Sequence, residues 1–275
     1  AQANTKNTTV NNFSDPDFNF PQDVAKNAVA KLDSALFTGD GYIASQALIQ
    51  YGLAKSMISS ENLPEIISKT DSVISKEKNE VFKSFLQLIK ARILSDYLNN
   101  NYFSLNDRNN INPSLPTNIL EWDKEQFSSE IFKLLNNSLS NPDILFQIPI
   151  TKYPKLITID KNSISDYPSL LDFFVYEAKD IYNRINRKEN PLPVFRAPQT
   201  DINVSPAKPA YIQSLYDILL KYHPDGSIPY IKTLIAGNST KDLQYWKSLY
   251  AKYSGNPNSA PILLKEIENI PEGNK

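Results

Sequence analysis

A chain of 275 residues, 41% of them hydrophobic, has enough apolar content to bury a core without disulfides or metals, and it has room for one large domain or two ordinary ones. The balance of 29 basic against 30 acidic residues, net −1, gives no general attraction to nucleic acid or to an anionic membrane. With 0 Cys there is no disulfide, no thiolate metal site and no cysteine nucleophile, and 1 His leaves little for zinc, so no cofactor or metal is expected.

No apolar run approaches the roughly 18 residues of a membrane span, so no direct membrane insertion is expected. Residues 1–20 are mostly Asn, Thr, Ser and Asp and read as a polar tether. Such tethers follow export signals or lipid-anchor sites, which points to an exported chain, periplasmic or associated with the outer membrane or cell surface. The 19 Pro sit mainly between periodic segments, as in helices joined by Pro-punctuated loops.

From Gln22 onward, Ala25, Ala28, Val29, Leu32 and Leu36 share one helical face. The run Thr38, Gly39, Asp40, Gly41 breaks this helix, with glycine suited to the helix end and Asp40 to the next cap. Ala44, Ala47, Leu48 and Tyr51 mark a second helix, and alanines on both stripes suit close packing of an antiparallel hairpin of the tetratricopeptide-like kind. The full signature of that repeat is absent.

A third helix starts at Asn62, Leu63, Pro64 and carries Ile66, Ile67 and Ile74. The fourth has the stripe Phe82, Phe85, Leu86, Ile89, Ile93 and Tyr97, opposed by Lys83, Lys90 and Arg92. It stops at Asn99, Asn100, Asn101. A long Asn- and Pro-rich loop follows, of a length that is uncommon inside helical sequence.

Asp123 and Gln126 then have capping-box spacing, ahead of Phe127, Ile131, Leu134, Leu135 and Leu139. Pro142 restarts a short segment. Residues 147–164 read as irregular with a short helix near 154–157, although their β-branched content leaves a strand open. Asp166, Tyr167, Pro168 opens a strong helix through Leu171, Phe174, Val175, Ala178, Ile181 and Tyr182, whose terminal basic run from Arg184 suits the negative end of the helix dipole.

Residues 190–209 form a Pro-rich crossing. Beyond it lie a helix with Ile212, Leu215, Tyr216, Leu219 and Tyr222, a short one at 228–236, and one with Leu243, Trp246, Leu249, Tyr250 and Tyr253. The last segment, with Leu263, Ile267 and Ile270, has no evident partner, which suggests that the natural chain continues.

The expected fold is therefore all-α: antiparallel helix hairpins forming a tetratricopeptide-like α–α superhelix with long irregular loops. Residues 21–189 form a helical hairpin domain, and residues 210–275 continue the helical repeat as part of the same compact unit.

Chemistry is sparse. His223 beside Pro224 has no carboxylate or nucleophile at recognisable spacing, and reads as structural. Glu121, Glu125 and Glu130 near Trp122 suit dipole and capping duties better than glycosidase chemistry. Arg108, inside the long loop, can clamp a carboxylate or hold the loop by donating to backbone carbonyls, and the second use is the expectation. Trp122 and Trp246 can stack sugars, but on apolar stripes they read as core. Phosphate loops, nucleophile elbows, zinc helices and calcium loops are missing from the sequence, so no catalytic residue is assigned and the chain reads as not an enzyme.

The loop has a characteristic order: Tyr97, Asn-rich text, Tyr102 and Phe103, the turn Asn106, Asp107, Arg108, then Leu115, Pro116, Ile119, Glu121 and Trp122 before Phe127 and Ile131. Two further matches are the run 216–223 from Tyr216 to His223, and Leu249, Tyr250, Ala251, Lys252, Tyr253 with the run 256–260. Over most of 22–270 the chain thereby resembles the N-terminal helical region of large α2-macroglobulin-like proteins of Bacteroidetes, a protease-inhibitor family. It departs from that pattern at Arg108, Asn109, where the family more often has Arg-Thr.

The resemblance implies an exported, membrane-anchored protein whose later domains trap proteases, often through a Cys-containing thioester. This chain has no cysteine, so the thioester region is not included and no trapping residue carries over. The resemblance implies a non-catalytic interaction or scaffold region, with Tyr97, Tyr102, Arg108, Pro116 and Trp122 anchoring the loop. Its implied partners are proteins: its own downstream macroglobulin domains, an envelope protein or a target protein. A glycan-binding surface protein is the alternative, for which exposed coplanar rings flanking a groove are needed.

Overall fold

The computed structural model describes residues 20–106, 108, 118–157, 164, 167–186, 210–223, 228–237 and 243–270. Among these the chain is all-α, with twelve α-helices, no strand, and one isolated antiparallel bridge between Pro149 and Ser169. The strand left open for residues 147–164 does not form in the described part of that segment, where Ile150–Lys152 makes a short 3₁₀ turn instead. The Pro-rich crossing 190–209 lies outside the described residues.

Helices α1 (Pro21–Thr38) and α2 (Gly41–Ile58) pack along their length as a hairpin. Gly39 makes the reversal at φ 71°, a left-handed conformation that costs a residue with a Cβ. Asp40 Oδ1 then accepts from Ile43 N at 3.0 Å and caps α2. Ala25, Ala28 and Ala35 of α1 and Ala44, Ala47 and Ala54 of α2 are all buried, and these small side chains let the helices approach closely.

Helices α3 (Leu63–Lys76) and α4 (Glu80–Asn100) follow, and α4 becomes the axis of the molecule. It touches α2, α3, α6 (Lys124–Ser138) and α8 (Leu170–Ile185). Contacts fix the directions. Tyr97 stacks on Phe127 while Lys90 meets Glu130, so α6 is antiparallel to α4. Phe85 meets Phe174 and Arg92 meets Glu177, so α8 is parallel to it. A side chain at Gly41 would strike Phe82 and one at Gly52 would touch Ile93, so α2 also runs parallel.

Lys90 and Arg92, read from sequence as opposing the apolar stripe of α4, are themselves covered. Lys90 is 7% exposed, with Nζ 2.7 Å from Asp71 Oδ1, and Arg92 is covered by α8. An apolar stripe states only which side must be covered. With neighbours on several sides, α4 keeps little free face, and Lys90 and Arg92 each meet a carboxylate.

Two boundaries also differ from expectation. A short helix α5 (Tyr102–Asn106) forms inside the long loop, where Leu105 is buried at 1% exposure. Helix α8 begins at Leu170 rather than at 166–168, because Pro168 O accepts from Ile150 N at 3.2 Å and Ser169 stays extended as the cap.

Helix α7 (Pro142–Phe146) packs on α8, and α9 (Ala210–Tyr222) lies antiparallel to α8, with Tyr182 stacked on Tyr211 at 5.1 Å and His223 beside Asp172. The helix beyond the Pro-rich crossing therefore shares the main core. Helices α10 (Ile228–Gly237), α11 (Leu243–Tyr253) and α12 (Ala260–Glu268) close on one another around Ile231, Trp246, Tyr253 and Leu263. The last helix, expected to lack a partner, has one: Leu263 and Ile270 are buried against the preceding short helices. Periodicity could not reveal this, because the covering residues lie on α10 and α11 rather than on a further segment.

Candidate functional site

The loop residues singled out from sequence lie at the junction of α4, α5 and α6. Arg108 Nη1 donates to the backbone carbonyl of Leu120 and, at 3.2 Å, to that of Trp122. Lys124 Nζ donates to the Tyr102 hydroxyl at 3.0 Å and sits 4.6 Å from that ring's centre. Tyr97 and Trp122 both pack on Phe127, each with ring centres 5.4 Å apart. Pro116 lies outside the described residues. All four described residues make contacts within the protein at this crossing.

His223 has a partner that spacing concealed. Its Nε2 lies 2.7 Å from Asp172 Oδ1, with both residues buried. The other oxygen, Asp172 Oδ2, accepts from Ser169 N at 2.9 Å and from Ser169 Oγ at 2.6 Å. The carboxylate is central, between hydroxyl and imidazole. In a serine hydrolase the imidazole must stand between the other two to take the hydroxyl proton. This network ties the start of α8 to the end of α9.

A concave feature arises from the three parallel helices. Between α2 and α8 a cleft of about 890 Å³ opens, with α4 as its floor. On the α2 side it is lined by Ile49, Leu53 and Met57. Leu53 and Met57, one turn apart, are both exposed, Met57 at 60%. On the α8 side it presents Glu177, Asp180 and Arg184, joined from the floor by Arg92 and Asp96.

These five charges form one network. Arg92 Nη1 lies 3.0 Å from Glu177 Oε2 and 3.6 Å from Asp180 Oδ2, and its Nε is 3.5 Å from Asp96 Oδ1. Arg184 reaches Asp180 Oδ2 at 2.8 Å and Asp96 Oδ1 at 3.5 Å. Burial pushes Glu177 up to about 7, against the pull of Arg92. Burial also raises Asp96, opposed by Arg92 and Arg184. The α2, α4 and α8 C-termini lie at the same end of the cleft, so their dipoles add negative potential there.

Neither the cleft nor this cluster was found by reading the sequence. Its one local signal is the i,i+4 spacing of Arg92 with Asp96 and of Asp180 with Arg184, charged pairs on two helices that otherwise carry strong apolar stripes. The basic run assigned to the α8 dipole contributes Arg184 to this network instead of leaving it in solvent. Among the described residues no group of three or more His, Asp or Glu is placed to hold a metal ion. Comparison of the chain with protein-family models, with curated proteins and with solved structures finds no match.

Proposed function

We propose that this chain is a non-catalytic helical recognition module whose α2/α8 cleft contacts a protein partner, as in the helical region of an exported α2-macroglobulin-like protein. The observation that carries the reading is the cleft itself: about 890 Å³, with an exposed apolar lip facing a charged wall. Exposed apolar side chains beside ordered charge are the composition of an interface core with a polar rim. Each cluster carboxylate is already ion-paired with an arginine, which orients charge and couples helices but does not free an acid–base pair for hydrolysis. The extracytoplasmic location rests on the polar tether, and the family on the resemblance of the 97–131 stretch. The partner is then a downstream macroglobulin domain, an envelope protein or a target protein. Sugar stacking is disfavoured by the rings: Trp246 is buried and Trp122 meets Phe127 edge-on.

Because the chain has 0 Cys, Ser56→Cys places a single thiol on the cleft lip. The variant should retain a specific protein from envelope extract before alkylation with a bulky maleimide and lose it afterwards. Equal retention by free and blocked chains would remove the cleft from the reading.

A further inference from the structure

We infer that the occupant of the cleft is a short segment of a protein chain with aliphatic side chains along one side and a lysine or arginine on the other; this rests on the reading of the cleft as the recognition site. The two walls differ in kind. Leu53 and Met57 offer an exposed aliphatic strip, and methionine adapts its shape to varied side chains. Opposite stand two arginines and three carboxylates, an excess of negative charge when Glu177 is ionised.

The accessible charge is acidic. Asp96 and Asp180 side chains are each 46% exposed, against 19% for Arg92 and 21% for Arg184. Both arginines are already engaged, Arg92 with all three carboxylates and Arg184 with two. An anionic ligand would have to displace those partners. A cationic side chain instead adds to Asp96 and Asp180, which line the cleft with half-exposed carboxylates, and three helix C-termini favour it further.

Size and rim point to a peptide. A volume of about 890 Å³ lies near the top of the range for small-molecule sites, enough for several extended residues. The rim carries Asn99, Asn100 and Ser56, whose amide and hydroxyl groups suit the donors and acceptors of a passing backbone.

The test is a selection of displayed random octapeptides on the full chain, run in parallel on Ser56→Cys blocked with a bulky maleimide. Peptides enriched only on the open cleft should share one basic residue beside aliphatic ones. For one such synthetic peptide, Asp96→Asn with Asp180→Asn should weaken binding about tenfold, the scale of a partly exposed charge pair. Replacing the peptide's lysine by norleucine should weaken parental binding equally and cause no further loss in the double variant. That peptide change also stands alone if the double variant loses its cooperative melting. Cleft-dependent peptides without a basic residue would overturn the ligand class and leave the recognition reading intact. No cleft-dependent enrichment would overturn both.

Discussion

Arg92 on α4 donates to Glu177 on α8 across 3.0 Å, and Glu177 is only 7% exposed. Burial wins over the arginine, so Glu177 titrates near 7 rather than at its ordinary 4.5. The native state therefore binds this proton more tightly than the unfolded chain does. Its contribution to stability is fully present below about 4.5 and is lost as pH rises through about 7. Over that window the single group accounts for up to about 3 kcal/mol, at roughly 1.4 kcal/mol per pH unit. Glu177→Gln mimics the protonated form and keeps an acceptor for Arg92. Urea unfolding at pH 5 and at pH 8 should show the variant gaining on the parent between the two, whereas parallel stability curves would contradict the assignment.

The Asp172 carboxylate satisfies Ser169 and His223 at once in a water-poor setting, so removing it strands two polar partners. Asp172→Ala should cost about 3 kcal/mol or more, in the range for breaking a buried polar pair. His223→Ala should cost less, about 2 kcal/mol. Because both variants break the same contact, the double variant should fall short of the sum by about 1 kcal/mol or more. Chemical denaturation of the three variants measures this, and strict additivity would mean the contact contributes nothing.

The α1–α2 turn separates two uses of glycine. Gly39 has φ 71° and open space around its missing side chain, so Gly39→Ala should cost about 1–2 kcal/mol through backbone strain alone, and Gly39→Asn less. At Gly41 the backbone is ordinary, but a Cβ would stand 2.6 Å from the Phe82 ring. Gly41→Ala should therefore disturb the Tyr42, Phe82 and Tyr153 cluster, seen as a change in near-ultraviolet circular dichroism that Gly39→Ala does not produce.

Arg108 holds the turn Ile119–Glu121 ahead of α6 by donating from Nη1 to the carbonyls of Leu120 and Trp122, at the end of a side chain longer than that of lysine. The contact is solvent-exposed, so Arg108→Ala should cost only about 1 kcal/mol globally. Locally it should speed amide exchange in the 118–122 stretch, with Arg108→Lys close to the alanine variant. Unchanged exchange there would show that the turn stands without the arginine.

Much of the helical framework was legible because it depends on near neighbours. The Asp123/Gln126 capping box forms as its spacing requires, with Asp123 Oδ1 2.8 Å from Gln126 N and Gln126 Oε1 3.0 Å from Asp123 N. The break at Gly39 and Asp40, the start of α3 beside Pro64 and the end of α4 at Asn100 follow from the same local chemistry. Stripe residues such as Phe127, Phe174 and Leu219 are fully buried, since 3.6-residue periodicity states directly which side of a helix must leave water.

What the sequence by itself determined is thus the all-α class, most helix limits and the apolar side of most helices; on α4 the buried apolar set is Val81, Phe85, Leu86, Leu88, Ala91, Leu94 and Leu98, and of the expected stripe only Phe85 and Leu86 are buried. Only the tertiary structure decided what the charged residues do. Arg92 meets Glu177 at a separation of 85 positions, and Asp172 meets His223 at one of 51, because α8 lies parallel to α4 and antiparallel to α9. No local pattern encodes those directions, since they follow from which stripes cover one another when the whole chain packs. The cleft has the same origin: α2 and α8 both run along α4, and the space between them, apolar on one side and acidic on the other, belongs to no single segment.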